Sequence, residues 1–323
     1  MTVRASIGTL GVLSIRNIRM EAVPTTAYLM IGSRCTGDCA YCGQGRSFQG
    51  SPGHLSRISW PEVSEESLLS AFVAHHGIFE RVCLQATASP GVMRALLSFI
   101  PRISRASAAP VSVSYRVRNS EEASRLFAAG VQRLGVAIDC CSARLYPQVR
   151  GGTLACETAL VKELAAQFPG RISTHLIIGL GEAEEEAAEL ILDLQRADVL
   201  VSLFAFTPVR GTRMADTAPP ALLSYRRLQA LVGLLDSTVS VTVSYDDRRA
   251  IHGYGLSEER LRAALSGKFP FATHGCPGCN RPFYTESPGG TMYNFPGVPA
   301  SRDEEVDGFI RCLTAEGFDF GER

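Results

Sequence analysis

Apolar and polar positions along the chain fall into two alternating rhythms. Short β-branched runs with a two-residue period are separated by longer stretches in which apolar residues recur at helical spacing. The runs at 27–32, 81–86, 111–117, 132–139, 172–178, 199–206 and 239–244 predict strands. The stretches at 66–75, 91–103, 120–129, 155–167, 182–195, 222–235 and 258–265 predict helices between them, with Asn119 as a cap. Strand, helix, strand at spacings of about 30 residues predicts βαβ units and a parallel sheet. Six or seven such units predict an α/β fold, a partial or complete parallel (β/α) barrel. Residues 268–300 break the rhythm with Gly, Pro and aromatics and predict an irregular flap, and a last helix is predicted at 303–316. The chain thus divides into an N-terminal extension (1–26), a barrel (27–268) and a C-terminal cysteine-containing flap with its helix (269–323).

Composition narrows the class. The chain has 323 residues, 46% of them hydrophobic, so it can bury a sizeable core and is not disordered. Its 32 basic and 32 acidic side chains cancel, which argues against a strongly electrostatic partner such as nucleic acid or an anionic membrane. No apolar run reaches the roughly 18 residues that span a bilayer. Residues 1–20 lack the pattern of a signal peptide. The expectation is a cytoplasmic protein.

Ten cysteines then need an explanation, because disulfides are unusual in such a setting and clustered thiols point to metal or redox chemistry. Cys35, Cys39 and Cys42 lie within eight residues, directly after the first predicted strand. That places them on a loop at the strand's carboxyl end, where barrel enzymes keep their chemistry. A cubane of four irons held by three cysteines leaves one iron open for a small molecule, whereas structural zinc wants four closed ligands. Three incidental thiols, or a zinc site completed from elsewhere, are the competing readings.

Cys-x3-Cys-x2-Cys after a first strand, with Tyr41 before the last cysteine, resembles the radical S-adenosylmethionine superfamily. The resemblance implies the superfamily's type of barrel, with Cys35, Cys39 and Cys42 holding a 4Fe–4S cluster whose open iron takes S-adenosylmethionine, and Tyr41 near the adenine. The run Ile177-Ile178-Gly179-Leu180-Gly181 resembles the adenine-contacting strand, and Phe206-Thr207-Pro208 the turn across the cofactor. Ile177, Gly179 and Thr207 are therefore expected cofactor contacts. Glycine at such a turn lets a ligand approach the backbone, although any strand-to-helix turn can carry glycine.

Within the superfamily, Tyr41-Cys42-Gly43-Gln44 and Arg81-Val82-Cys83-Leu84 resemble the biotin synthase and lipoyl synthase group. Asp139 falls on an aspartate that contacts the cofactor ribose there; a carboxylate capping a loop is the bland alternative. Ser112 and Ser173 stand where biotin synthase has further cluster cysteines, and Ala137 where it has an asparagine. Serine is the poorer iron ligand, so the auxiliary site of biotin synthase is not reproduced.

A second cluster, Cys276-Pro277-Gly278-Cys279, forms a knuckle that suits iron–sulfur or zinc. Alternation along the second predicted strand turns Cys83 inward together with Gln85, which suggests an auxiliary 4Fe–4S cluster on Cys83, Cys276 and Cys279. With Asp139 inward, the same alternation puts Cys141 on its side and turns Cys140 to the helices, so Cys141, His274 or an exogenous group would complete the cluster. Cys156 and Cys312 read as core or groove filling, and His175 as a structural histidine.

The late segment 276–284 most resembles one subunit of the two-protein lipoyl synthases. This implies radical sulfur insertion into an octanoyl-lysine carrier protein, with a paralogous radical partner and a small electron-transfer protein as reductant. Biotin synthase or another radical reaction, and a non-catalytic iron–sulfur or zinc protein, are the alternatives.

Overall fold

The computed structural model describes residues 2–51, 53–284, 286 and 289–321. Met1, Pro52, Thr285, Ser287, Pro288, Glu322 and Arg323, which fall within the predicted extension, barrel and flap, lie outside the described residues. Six parallel strands stand side by side in chain order: Thr26–Ile31, Arg81–Ala86, Val111–Ser114, Val131–Gly135, Ile172–Ile178 and Leu200–Ala205. Helices connect them, as the two rhythms predict, and Asn119 does cap its helix by accepting from the Glu122 N–H at 3.0 Å.

The alternation along these strands separates two environments. Outward positions such as Leu29, Leu84, Leu134 and Leu176 have no exposed surface and pack under the helices. Each such side chain stabilises the fold by about 1.5–3 kcal/mol. Inward positions are polar or sulfur-bearing and lie in register. Tyr28, Cys83 and Ser112 form one row across the first three strands; Met30, Gln85 and Ser114 form the next row towards the carboxyl ends.

Two elements differ from the sequence reading. The short strand Thr2–Ala5 inserts antiparallel between the first parallel strand and Glu62–Ser64, so the sheet has eight strands. Four residues with Arg4 at their centre offer too little alternation to read. The run at 239–244, in contrast, does not join the sheet. Ser244 pairs with Gly253 in a separate small hairpin, while Ser240 and Thr242 face solvent. The edge of the sixth strand is met by the flap instead, with His274 Nδ1 2.9 Å from the Val201 carbonyl. The barrel is therefore partial, and a side chain covers its open edge.

The flap is irregular as expected: between Lys268 and Arg302 the described residues form neither helix nor strand, and the terminal helix is Arg302–Ala315. No helix among the described residues is long and apolar enough to cross a membrane.

Candidate functional site

The first cysteine trio leaves the carboxyl end of the first strand, as its position predicts. Gly32 makes the exit with φ +102°; a Cβ there would stand 2.4 Å from Thr87 Oγ1, so a side chain would collide with the second strand's end. The loop closes on itself through the Cys35 N–H to the Gln44 carbonyl at 3.2 Å. It is pinned outward by the Thr36 N–H to the Ala88 carbonyl at 2.9 Å and the Ala40 N–H to Val149 at 2.7 Å. Arg4, on the inserted N-terminal strand, donates to Gln44 Oε1 at 3.0 Å, so the opening residues of the chain brace the end of the loop.

Each of the three sulfurs receives a donor. The Gly37 N–H points at Cys35 Sγ at 3.3 Å, the Gln44 N–H at Cys42 Sγ at 3.4 Å, and Arg150 Nη1 at Cys39 Sγ at 3.2 Å. Donors of this kind stabilise sulfur that carries negative charge. Burial pushes the Cys42 thiol up to about 12, against the opposing pull of the Gln44 N–H. The donor set therefore fits an anionic iron–sulfur centre on Cys35, Cys39 and Cys42. Among the described residues, no three Cys, His, Asp or Glu side chains are gathered so as to hold a single metal ion. A cubane makes a different demand, since its three thiolates bind three separate irons.

Arg150, which sequence reasoning missed, also organises Asp139. Its Nε lies 2.7 Å from Asp139 Oδ2, and both side chains are buried. His175 Nε2 is 2.9 Å from Oδ1, and the Tyr41 hydroxyl donates to Oδ2. Burial raises the Asp139 carboxyl, but Arg150 and then His175 outweigh it and hold it well below the usual carboxylate range. Burial likewise pushes the Tyr41 phenol well up, reinforced by the Asp139 charge. Asp139 adopts φ +64°, a left-handed conformation that Asp tolerates better than most residues. Both carboxylate oxygens thus have protein partners, and His175 has the structural role expected of it.

A cavity of about 1180 Å³ opens over this network. Cys35, Cys39, Cys42, Tyr41, Asp139, Ile177 and Thr207 all line it. Gly179 is not among its lining residues. Its N–H lies 2.6 Å from Glu182 Oε1, and a Cβ would stand 2.7 Å from Pro220 Cδ. Its φ of +105° and the approach of Pro220 are what require glycine there. The floor is the upper interior row, Met30, Gln85 and Ser114, with Phe204 from the sixth strand and Tyr284 from the flap.

Beneath that floor lies the second trio. Cys83 occupies the lower interior row beside Tyr28 and Ser112. The knuckle is fastened to the amino ends of the first two strands. Gly278 O accepts from Thr25 Oγ1 at 2.8 Å and Thr26 Oγ1 at 2.7 Å; Asn280 Oδ1 accepts from the Thr25 N–H at 3.0 Å; Pro277 O accepts from Arg81 Nε at 2.7 Å. Gln85 Nε2 reaches from the floor to Cys83 Sγ at 3.1 Å, Ser112 Oγ stands 3.8 Å from Cys276 Sγ, and the Tyr28 hydroxyl 3.4 Å from Cys279 Sγ. Burial raises the Cys83 thiol strongly, with Cys276 and Cys279 adding to the rise. Arg281 Nε is buried with no acceptor. Donors directed at sulfur, and an orphaned cationic N–H two residues along the chain from Cys279, fit an anionic group at this level as well.

The suggested fourth partners do not join this trio. Cys141 is buried in the core beside Cys140, with Glu182, Glu186 and Asp139 as its charged neighbours. The fourth strand ends at Gly135 and the chain turns at Asp139, so alternation does not carry through to Cys141. His274 spends one ring nitrogen on Val201 O and the other on Asp236 Oδ2, at 2.6 Å. Cys312 is exposed, opposite the buried Val306, Phe309, Ile310 and Leu313 of its helix, and so fills no core. Cys156 is exposed at the cavity rim.

Comparison with known proteins follows the same lines. No family model matches the chain. Biotin synthase of Corynebacterium jeikeium is 26% identical over 188 residues, covering 57% of this chain and 51% of that protein. The chain therefore spans about half the length of the curated relative it matches. The crystal structure of methylornithine synthase, 14% identical, superposes with a TM-score of 0.53 over 92% of this chain and 83% of that one. HydG, a maturase of the FeFe-hydrogenase, is 13% identical and superposes at 0.50 over 65% of this chain and 49% of that one. At these identities the structural likeness is one of fold, that of a partial parallel (β/α) barrel. The biotin synthase match supports the resemblance to the radical S-adenosylmethionine superfamily carried by the first cysteine loop.

Proposed function

We propose that this protein is a radical S-adenosylmethionine enzyme that inserts sulfur into an unactivated C–H of a protein-bound octanoyl-lysine, working with a paralogous partner in lipoyl cofactor formation. The observation that carries the reading is the presence of two cysteine trios at two levels of one barrel, separated by a single floor of side chains. Cys35, Cys39 and Cys42 would hold a 4Fe–4S cluster at the cavity, and Cys83, Cys276 and Cys279 a second one below it. The upper three cysteines would hold their cluster against S-adenosylmethionine, and the pair would supply one-electron chemistry able to abstract hydrogen from carbon.

The chain's own residues do the rest. Arg150 places positive charge beside Cys39 and keeps Asp139 ionised; Tyr41 and His175 fix the orientation of that carboxylate. The apolar parts of Met30, Phe204 and Tyr284 give the cavity floor a surface suited to a methylene chain and exclude water from a carbon lying on it. Gln85 and Tyr284 border both levels, so a carbon activated above has the shortest route to sulfur past these two side chains.

The test is anaerobic turnover with an octanoyl-lysine carrier peptide and, separately, with dethiobiotin, read by mass spectrometry. Sulfur is expected in the octanoyl peptide. The biotin synthase match favours dethiobiotin as the second reading, and sulfur appearing only in biotin would establish it in place of the first. Ser112 and Ser173, both inward and buried, argue against it, because neither offers the thiolate that biotin synthase places there. Absence of 5'-deoxyadenosine from the fully loaded, dithionite-reduced protein would leave a non-catalytic iron–sulfur protein.

A further inference from the structure

The lower trio is flanked by two arginines that lack acidic partners. Arg81 is only 3% exposed, at the start of the second strand. Its three nitrogens go to neutral acceptors: Nε to Pro277 O, Nη1 to Ser112 Oγ and Nη2 to Gln132 Oε1, each at 2.7 Å. Arg281 follows the knuckle by two residues. Its guanidinium lies over the Phe204 ring at 3.9 Å, Nη2 donates to His274 O at 2.6 Å, and its buried Nε–H has no acceptor. Neither arginine forms an ion pair with a carboxylate among the described residues.

Burying a charge is costly unless an opposite charge compensates it. Elsewhere in this chain the compensation is visible: buried Arg150 has Asp139, and Arg227 has Glu184 and Glu316. Arg226 lacks an ion pair, but it stacks on Phe271 with Glu305 and Glu286 acting on it, and it faces no cysteine. Arg81 and Arg281 differ because a single hydroxyl, that of Ser112 or Tyr28, links each residue to a cysteine sulfur. Arg81 holds Ser112, which contacts Cys276, and it grips the knuckle at Pro277. The backbone N–H of Arg281 donates to the Tyr28 hydroxyl at 3.0 Å, and that hydroxyl stands 3.4 Å from Cys279 Sγ.

We infer that Arg81 and Arg281 are the counter-cations of the lower cysteine trio, positioned to stabilise an anionic iron–sulfur centre there and to set how readily it is reduced. The inference rests on the proposed second cluster. Three thiolates on a 4Fe–4S core leave a negative centre that becomes more negative on reduction. A guanidinium on either side favours the reduced form, and the low dielectric of the barrel base strengthens that effect.

The test uses the full chain with Cys35, Cys39 and Cys42 all changed to alanine, so that only the lower site can report. After anaerobic reconstitution, iron is counted, and the reduced fraction is read by electron paramagnetic resonance at a fixed solution potential. Arg81→Gln and Arg281→Gln are each expected to lower the reduced-to-oxidised ratio about tenfold, equal to about 59 mV for one electron. Arg81→Lys and Arg281→Lys are expected to restore most of it. Unchanged ratios in both glutamine variants would overturn the assignment, as would lysine variants as impaired as glutamine ones, which would trace the effect to hydrogen-bond geometry instead of charge. If the parent triple variant binds no iron, the second-cluster reading fails, and this inference with it. Arg281→Gln breaks no bond between sheet strands, so it keeps the test open should Arg81→Gln fail to fold.

Discussion

The two cysteine trios are built by opposite strategies. The upper one is local: three cysteines within eight residues, on a loop whose ends are tied together by the Cys35 to Gln44 backbone bond. The lower one joins a strand to a flap about 190 residues later, and its geometry depends on tertiary clamps from Thr25, Thr26, Arg81 and Asn280. Neighbouring charges differ too. The upper cation, Arg150, is shared with Asp139, whereas Arg81 and Arg281 have no carboxylate partner among the described residues and bind neutral oxygens around the knuckle. A locally encoded site tolerates disturbance elsewhere in the barrel. A site assembled from distant parts should fail whenever its clamps do.

The largest expected effect comes from the upper trio. Any of Cys35→Ala, Cys39→Ala or Cys42→Ala should abolish 5'-deoxyadenosine formation while leaving the lower iron in place. Loss of iron from both levels would show that the trios are not independent.

Next is the buried ion pair. Arg150→Met strands the Asp139 carboxylate and should cost about 3–5 kcal/mol in a urea melt, because removing one partner of a buried pair leaves an uncompensated charge. The same pair sets a pH dependence. Asp139 is held below its unfolded value, with Arg150, His175 and Tyr41 facing it. Its contribution is therefore complete above the ordinary carboxyl value of about 3.9 and is lost as pH falls through the folded value. The gap in urea midpoint between wild type and Asp139→Asn should be widest above about pH 5 and shrink in more acidic buffer.

A smaller effect isolates the lower site. Gly278 has φ +78°, and a Cβ there would stand 2.8 Å from Glu80 Cβ. Gly278→Ala adds about 1–2 kcal/mol of backbone strain, plus the collision, to the knuckle alone. Iron should fall at the lower level, with 5'-deoxyadenosine formation retained. The smallest change belongs to Cys312→Ser on the exposed side of the last helix, within about 0.5 kcal/mol in stability and with no loss of iron.

The same contrast explains what could be read from the sequence. The upper loop was legible because spacing and strand position are both local. Cys83 and the knuckle were legible in pieces, through strand alternation and a Cys-x2-Cys turn. Arg150 was not, since 111 residues separate it from Cys39 and no periodicity marks it. Arg81 could have been found, because it shares the alternation of Cys83 and Gln85. Counting the same alternation through Asp139 misplaced Cys141, because a left-handed turn resets the facing of the chain. The run at 239–244 carries a strand's pattern but pairs at Ser244 in a small hairpin and not with the main sheet, and an N-terminal strand of four residues fills the opposite side of that sheet.

The central claim is that each trio grips its own cube of iron. Metal and sulfide analysis of the anaerobically reconstituted protein, beside a Cys276→Ala/Cys279→Ala variant, tests it most directly. About eight irons are expected to fall to about four, with the remaining centre still cleaving S-adenosylmethionine. About four irons in both proteins, or zinc in place of the lost iron, would contradict it.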